Sequence, residues 1–470
     1  MASPDRRSKL GAAGTFEALR AREYARLDAA GHAYLDYTGS GLYAESQVRR
    51  HAELLQAEVM GNPHTDSPAS LPATERVQAA RAEVLAFLDA DPAEYVVVFT
   101  PNASGALKLV GESFPFAPGS RLVLTADNHN SVNGIRSFAM ARGAEIAYLP
   151  LDAELRAGPI EPQLRPAPAP SLLAYPAQSN FSGVKHPLAW VDRARAAGYA
   201  TALDAAAYVP TNRLSLREVR PDFLSVSFYK MFGYPTGVGA LVARAEALAQ
   251  LRRPWFAGGT VRFVSAQNRE HLLKAAPEAF EDGTLDFLAI AALPFGFELL
   301  RGVGMDALNA HVMELTAVLL EGLGSLRHAD GTPQVRIYGP ADTHARGATV
   351  AFNLVDPEGG VVSFERVEGV LAERGISARG GCFCNPGAAE RAFGYEATES
   401  YRCFHTMTPT DFTLQQFSQC MRDLPFGAVR ASLGIASNRG DIERLLEGLR
   451  TFRDRPAEHV TRNLPEVVAG

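Results

Sequence analysis

Between Tyr95 and Ser227 the chain alternates short apolar runs with stretches of helical spacing. The runs are Tyr95–Thr100, Arg121–Thr125, Ile146–Pro150, Leu172–Tyr175, Ala200–Leu203 and Phe223–Ser227, each rich in Val, Leu, Phe or Tyr. Near-continuous apolar strands separated by helices bury both of their faces in a mostly parallel sheet covered by helices on either side. This predicts an α/β fold. Ligands of such sheets collect beyond the carboxyl ends of the strands, where loops meet helix N-termini. Those ends are therefore the place to look for function.

The alternation stops after Phe287. A long helical region, Leu288–Arg327, leads to strands at Val335–Tyr338 and Thr349–Leu354, a helix at Phe364–Arg374, a strand at Val429–Leu433 and a helix at Gly440–Phe452, which together read as a smaller α+β domain. Ahead of the sheet lie a polar helical segment to about Ala30, a short strand and loop over Ala33–Tyr43, and helices over Glu45–Met60 and Thr74–Ala90. The expected layout is an N-terminal segment 1–44 packing on the small domain, a large domain 45–304, a small C-terminal domain 305–455 and a tail 456–470.

Composition excludes several function classes. A net charge of -6 argues against a nucleic-acid or anionic-membrane surface as the main business. No apolar run reaches transmembrane length, and the start lacks the apolar core of a signal peptide, so the expected setting is cytoplasmic. Four cysteines in 470 residues, Cys382, Cys384, Cys403 and Cys420, are too sparse for a disulfide framework. Thiol chemistry belongs to the C-terminal part.

The strand ends carry the candidate chemistry. After Thr100 comes Pro101-Asn102-Ala103-Ser104-Gly105, a small-residue turn opening a helix, whose free N–H groups and hydroxyl suit a phosphate; a plain N-cap is the simpler reading. His129 follows the next strand and could lie against a planar ring and carry a proton, or merely satisfy a loop. Gln178-Ser179-Asn180 follows Tyr175 and could hydrogen-bond a ring oxygen, or form a turn. Asp204 closes an apolar strand and needs a cation, either a protonated pyridine nitrogen or a structural partner. Phe223–Ser227 runs into Lys230 at the start of a Gly- and Pro-punctuated turn, where a buried amine is costly unless its charge is changed, as in a Schiff base; a surface-loop lysine is the simpler reading of this stretch alone. Gly237-Val-Gly239 lacks the third glycine of a dinucleotide loop and enters a strand, which rules that motif out.

In the small domain, Arg379-Gly-Gly-Cys382-Phe-Cys384-Asn-Pro-Gly387 puts two thiols on a loop bracketed by glycines and a proline. That composition suits a mobile, solvent-reachable segment. A thiolate forms easily beside a cation; zinc held by Cys382, Cys384, Cys403 and His405 is the competing reading, with a spacing unlike common zinc knuckles. Arg430, inside an apolar strand, needs an anion, either a substrate carboxylate or an internal Asp or Glu.

In this order the residues resemble the class V aminotransferase family of fold-type I pyridoxal-phosphate enzymes, and within it the cysteine desulfurases. The nearest likeness is to the N-terminal desulfurase domain of molybdenum cofactor sulfurases. The phrases that carry it are Ala174-Tyr-Pro-Ala-Gln-Ser-Asn-Phe-Ser-Gly183, Ser227-Phe-Tyr-Lys-Met-Phe-Gly-Tyr-Pro-Thr-Gly237, Phe280-Glu-Asp-Gly-Thr-Leu-Asp-Phe287 and Gly381-Cys-Phe-Cys-Asn-Pro-Gly387. The resemblance implies pyridoxal 5'-phosphate as cofactor, Lys230 as the Schiff-base lysine, Asp204 as the pyridinium partner, His129 against the ring and Asn180 beside it. It also implies a phosphate held by Ala103, Ser104 and Ser227, with Thr260 reaching the phosphate of the other subunit of a homodimer. Arg430 would hold the substrate carboxylate, Cys384 would be the nucleophile, and Cys382 would be its neighbour and a possible second sulfur carrier. Ala207 and Tyr229 depart from the Gln and His of many desulfurases.

The implied reaction takes sulfur from L-cysteine, giving alanine and an enzyme persulfide for an acceptor protein or cofactor. A C–S lyase, epimerase or aminotransferase on the same scaffold, and a non-catalytic sulfur-relay or scaffold protein, are the alternatives.

Overall fold

The structure is a computed structural model describing residues 15–63, 65–408, 413–421 and 424–457. The expected first helical residues, before 15, and the tail from 458 lie outside the described residues. A short strand, β1 (Ala33–Tyr34), precedes the central sheet of β2 (Tyr95–Thr100), β3 (Arg121–Thr125), β4 (Glu145–Leu149), β5 (Ser171–Pro176), β6 (Tyr199–Asp204), β7 (Phe223–Ser227) and β8 (Gly239–Arg244). Their spatial order is β2-β8-β7-β6-β5-β3-β4. Alternate residues feed two cores: Leu122, Leu124, Leu172 and Ala174 pack on one face, Val123, Leu173 and Tyr175 on the other. This is the two-faced burial that the near-continuous apolar runs require.

All neighbours are parallel except at β8, which runs antiparallel to both β2 and β7. The reason is local. Parallel strands need a crossover of a dozen or more residues, whereas β7 and β8 are joined only by a single helical turn, Phe228–Phe232, closed by Gly233 at φ 78, and a short loop. The chain must turn back on itself there, and that reversal puts Lys230 at the carboxyl end of the sheet.

A surface hairpin, β9 (Val261–Val264) and β10 (His271–Leu273), follows. The expected helix Leu288–Arg327 is divided into Phe287–Ile290, Leu293–Val303 and Met305–Ser325, because Gly304 at φ 84 and Pro294 at a helix start interrupt it. No single helix among the described residues is long and apolar enough to cross a membrane; Phe287–Val303 and Met305–Ser325 meet that test only as a pair bent by 71°.

The small domain is an antiparallel sheet of β11 (Val335–Tyr338), β12 (Thr349–Leu354), β14 (Arg379–Gly381) and β15 (Ala428–Ser432), in the order β11-β12-β15-β14. β13 (Ile376–Ser377) pairs in parallel with β1, and Asp36 bridges Ser432, so the segment around residues 33–36 is stitched onto this domain. Sequence periodicity did not indicate the β9–β10 hairpin or the helices Pro386–Phe393, Ala397–Thr406 and Leu414–Cys420. The cysteine expectation needs correction as well. Cys403 and Cys420 form a disulfide that joins the last two of these helices around a small apolar cluster with Phe417 and Met421. Such a cluster is too small to hold a helix pair unaided, and a single staple there does not require the framework that a cysteine count can reveal.

Candidate active site

The floor of the site is the carboxyl end of the central sheet. Lys230 sits one turn beyond β7, between buried Phe228, Met231 and Phe232, whose packing fixes the turn. Its half-buried amine has neither a hydrogen bond nor an ion pair among the described residues. Burial pushes its pKa below the ordinary lysine value; the fields of Asp204 and Cys384 work against that and the Arg430 field works with it.

Asp204 is the last residue of β6 and is buried. Its Oδ1 accepts the Ala206 N–H and the Ser225 hydroxyl, both at 3.1 Å, while Oδ2 takes no hydrogen bond among the described residues. One carboxylate oxygen is thus committed to the fold and the other is free for a cation. Beyond β3, His129 accepts the Ser131 N–H at Nδ1, 3.1 Å, which leaves its neutral form with the proton on Nε2. Burial lowers its pKa, the Asp204 field opposes this, and Lys230 and Arg430 add to it.

The turn beyond β2 opens the helix Ala103–Ser113. Asn102 caps it through Oδ1, 3.0 Å from the Gly105 N, and the Ala103 N–H donates to Ser227 Oγ at 2.8 Å. Exposed Ser104 pairs with Ser131 Oγ at 2.5 Å. Two strand ends, β2 and β7, therefore place hydroxyls and helix N–H groups around one point, an arrangement suited to a phosphate. The free Asp204 oxygen, the unpaired Lys230 amine and this cradle are the features that a pyridoxal phosphate needs.

The small domain supplies the opposite wall. Arg430, in β15, is buried and donates to Asp36 Oδ1 and to the Asn180 carbonyl, both at 3.0 Å, while its buried Nε has no partner. Burial lowers its pKa and Asp36 opposes this. Both readings of this arginine therefore hold a share: an internal carboxylate takes one nitrogen, and another is left over for an anion. Asp36 also binds Arg379 through Nε at 2.9 Å and Nη2 at 2.6 Å.

Cys384 is exposed on the loop after β14. Cys382 is half-buried and donates to the Phe426 carbonyl at 2.7 Å; burial, reinforced by Cys384, pushes its thiol up to about 12. The loop expected to be mobile makes hydrogen bonds to the large domain. The Cys384 carbonyl accepts the Asn130 N–H at 2.7 Å and the Phe383 carbonyl accepts Asn180 Nδ2 at 2.7 Å, so glycines bracket a segment that hydrogen bonds hold fast. Asn180, expected beside a ring and at the substrate, gives one Nδ2 hydrogen to this loop, with Oδ1 taking Asn385 Nδ2 at 2.9 Å.

Two further sequence candidates remain: Thr260, which the resemblance assigns to the other subunit's phosphate, and the zinc set. Thr260 is buried, and its hydroxyl is used within its own turn, accepting from the Ala257 N at 3.0 Å and donating to the Ala257 carbonyl at 2.9 Å. The zinc reading fails because the Cys403 sulfur is bonded to Cys420, and no group of metal ligands assembles among the described residues.

Sequence reasoning missed Asp36, its pairing with Arg379, and the role of Asn385. Asp36 and Arg430 lie too far apart in the chain for any local pattern to pair them. Asn385-Pro386, by contrast, carried a readable signal: asparagine before proline is a helix start, and the helix Pro386–Phe393 begins there.

The aminotransferase class-V family model matches residues 33–445. Molybdenum cofactor sulfurase of Bos taurus is 35% identical over 468 residues, covering 92% of this chain and 51% of that protein. The Anopheles gambiae molybdenum cofactor sulfurase is 37% identical over 456 residues, covering 91% and 57%. The chain thus spans little more than half the length of these curated relatives. Among solved structures, the apo cysteine desulfurase of Thermococcus onnurineus NA1 superposes with a TM-score of 0.77 at 24% identity, covering 93% of this chain and 97% of that one, and so shares the fold. The match across nearly the whole described chain leads to one conclusion: the chain belongs to the aminotransferase class-V family.

Proposed function

We propose that this chain is a pyridoxal-phosphate-dependent cysteine desulfurase that takes sulfur from L-cysteine, leaving alanine and a persulfide on Cys384. The observation that carries the reading is an unpaired amine, Lys230, within electrostatic reach of an exposed thiol, Cys384, and of Asp204, His129 and Arg430, beyond the carboxyl end of the central sheet. Likeness to molybdenum cofactor sulfurases supports the same chemistry.

The cofactor, when bound, supplies an electron sink for the substrate's α-carbon. Asp204 Oδ2 would keep a proton on its ring nitrogen; Ser104 and Ser227 would hold its phosphate, with the Ala103 N–H exchanging its bond to Ser227 Oγ for one to the phosphate. Lys230, its pKa lowered by burial, would carry it and move the substrate's α-proton. Arg430 would seat the substrate carboxylate at its unpartnered Nε, beside Asp36. His129 would lie against the ring and offer the Nε2–H of its neutral form as a donor, Nδ1 being held by the Ser131 N–H. The Cys384 thiolate would attack the substrate sulfur; the carbon–sulfur bond breaks, a sulfur–sulfur bond forms, and a proton replaces sulfur on the product carbon. Cysteine plus thiol thus becomes alanine plus persulfide, with no outside oxidant.

A second copy of the chain is part of this proposal. The β9–β10 hairpin and the segment before it expose Trp255, Phe256, Phe263 and Leu272, an apolar surface of the kind that a homodimer covers. The sulfur acceptor would be a protein or a cofactor. The setting would be cytoplasmic, where a reducing poise keeps exposed Cys384 free while fully buried Cys403 protects its bridge. The test is product analysis: alanine and a Cys384-dependent persulfide support the proposal, whereas pyruvate, a keto acid or racemised substrate moves the reaction to a lyase, an aminotransferase or an epimerase.

A further inference from the structure

Phe383 and Cys384 both have left-handed backbones, at φ 55 and 56. Residues other than glycine rarely adopt that conformation, and two in succession need something outside themselves to hold them. The Cys384 carbonyl is held by the Asn130 N–H and the Phe383 carbonyl by Asn180 Nδ2. The Phe383 ring lies 5.3 Å from that of Phe181 and 4.6 Å from the Arg430 guanidinium. These contacts converge on fully buried Asn385. Its Nδ2 donates to the Asp127 carbonyl at 2.7 Å and to Asn180 Oδ1 at 2.9 Å, the second of which orients the Asn180 amide so that its own Nδ2 faces Phe383. Its backbone N–H closes the loop on the Cys382 carbonyl at 3.0 Å, and its Oδ1 caps the helix Pro386–Phe393 through the Ala388 N–H at 3.2 Å. The anchor is itself fixed, because Asp127 Oδ2 is bound by His186 Nε2 at 2.8 Å, both residues buried. Next to it, a Cβ at Gly387 would run into the Ala126 carbonyl.

We propose that Asn385 is the positioning residue of the nucleophile, clamping the cysteine loop of the small domain to the strand ends of the large one so that Cys384 stays at the mouth of the cleft. The inference rests on reading Cys384 as the sulfur acceptor. Its consequence is that sulfur remains at the cleft and the next acceptor comes to it, presenting a narrow group rather than waiting for a swinging arm.

The test uses Asn385→Ser in the full chain loaded with pyridoxal phosphate, since serine keeps the helix cap but removes both clamp donors. The expected result is an unchanged cofactor spectrum and a KM for L-cysteine within about threefold, with kcat for alanine formation lower by roughly 100-fold. Backbone hydrogen exchange over 382–388 should rise by about tenfold. Asn385→Asp, which keeps the cap and faces the same two oxygens without a donor, should behave alike and serves if the serine variant fails to fold. Unchanged kcat and exchange would overturn the proposal, as would a loss of cofactor band, KM and kcat together. If the unsubstituted protein forms no alanine, the desulfurase reading falls by itself, and exchange in the variants alone then decides the clamp.

Discussion

Lys230 bears the chemical argument because a half-buried amine without a partner is a cost that the fold retains. Its lowered pKa has a thermodynamic sign. The contribution of this group to stability is complete above the ordinary lysine range and is lost as pH falls through the lowered folded value, because the unfolded chain then binds the proton more readily. In cofactor-free protein, Lys230→Met should therefore raise the melting temperature most at neutral pH, with the gain shrinking as pH rises; a gain independent of pH would contradict the burial argument. The two loop thiols should also differ. With its thiol pushed up to about 12, Cys382 is about one part in ten thousand thiolate at pH 8, so iodoacetamide should label Cys384 first. Cys384→Ala should abolish persulfide formation, while Cys382→Ala should keep activity within about threefold, as expected of a residue outside the reacting set. His129→Ala should cost roughly 100-fold or more in kcat. If His129 sets the acid limb of the wild-type rate profile, that limb should lie below the ordinary histidine range, because burial lowers the pKa of the imidazole.

Among the elements, those facing the core were the legible ones. β2, β3, β5, β6 and β7 follow runs of Val, Leu and Phe because both of their faces are buried, and the end of β6 at Asp204 could be read from where its apolar run stops. The β9–β10 hairpin escaped because its alternating apolar residues point outward and carry no core signature. The cysteine loop was read from glycine and proline content as mobile; its hydrogen bonds to Asn130 and Asn180 come from the far domain and leave no local trace. The phrase Phe280–Phe287 gains a structural meaning. Glu281 is buried against Arg81, at 2.8 and 2.7 Å, and accepts the Phe99 N–H at 2.7 Å, so it ties the helix Ser70–Phe87 to β2. Glu281→Gln leaves a buried guanidinium uncompensated and should cost about 3 kcal/mol in denaturant unfolding; a change under about 0.5 kcal/mol, the usual scale of a surface substitution, would contradict the pairing. Cys403→Ser should loosen the helix pair Ala397–Thr406 and Leu414–Cys420 by about 3 kcal/mol on the loop-closure scale, read as faster local hydrogen exchange with the central sheet unaffected.

For the molecule as a whole, the order of functional groups along the chain was legible because an α/β sheet brings successive strand ends to one edge, so residues from Ala103 to Lys230 had to converge there. What could not be read was the closing wall, since Asp36 from the N-terminal segment and Arg430 from the last strand meet only after that segment packs on the small-domain sheet. The proposed dimer predicts that Phe263→Glu with Leu272→Glu yields a monomer by sedimentation; a dimer that survives both charges would place the interface elsewhere. The most direct test of the central claim is a single-tube assay of purified protein loaded with pyridoxal phosphate, following its visible spectrum on addition of L-cysteine, the amino-acid product and the mass of the Cys384 peptide. The account predicts a cofactor band that Lys230→Ala removes, alanine as product, and a mass gain of one sulfur on Cys384. A cofactor band with pyruvate as product, and an unmodified Cys384, would contradict it.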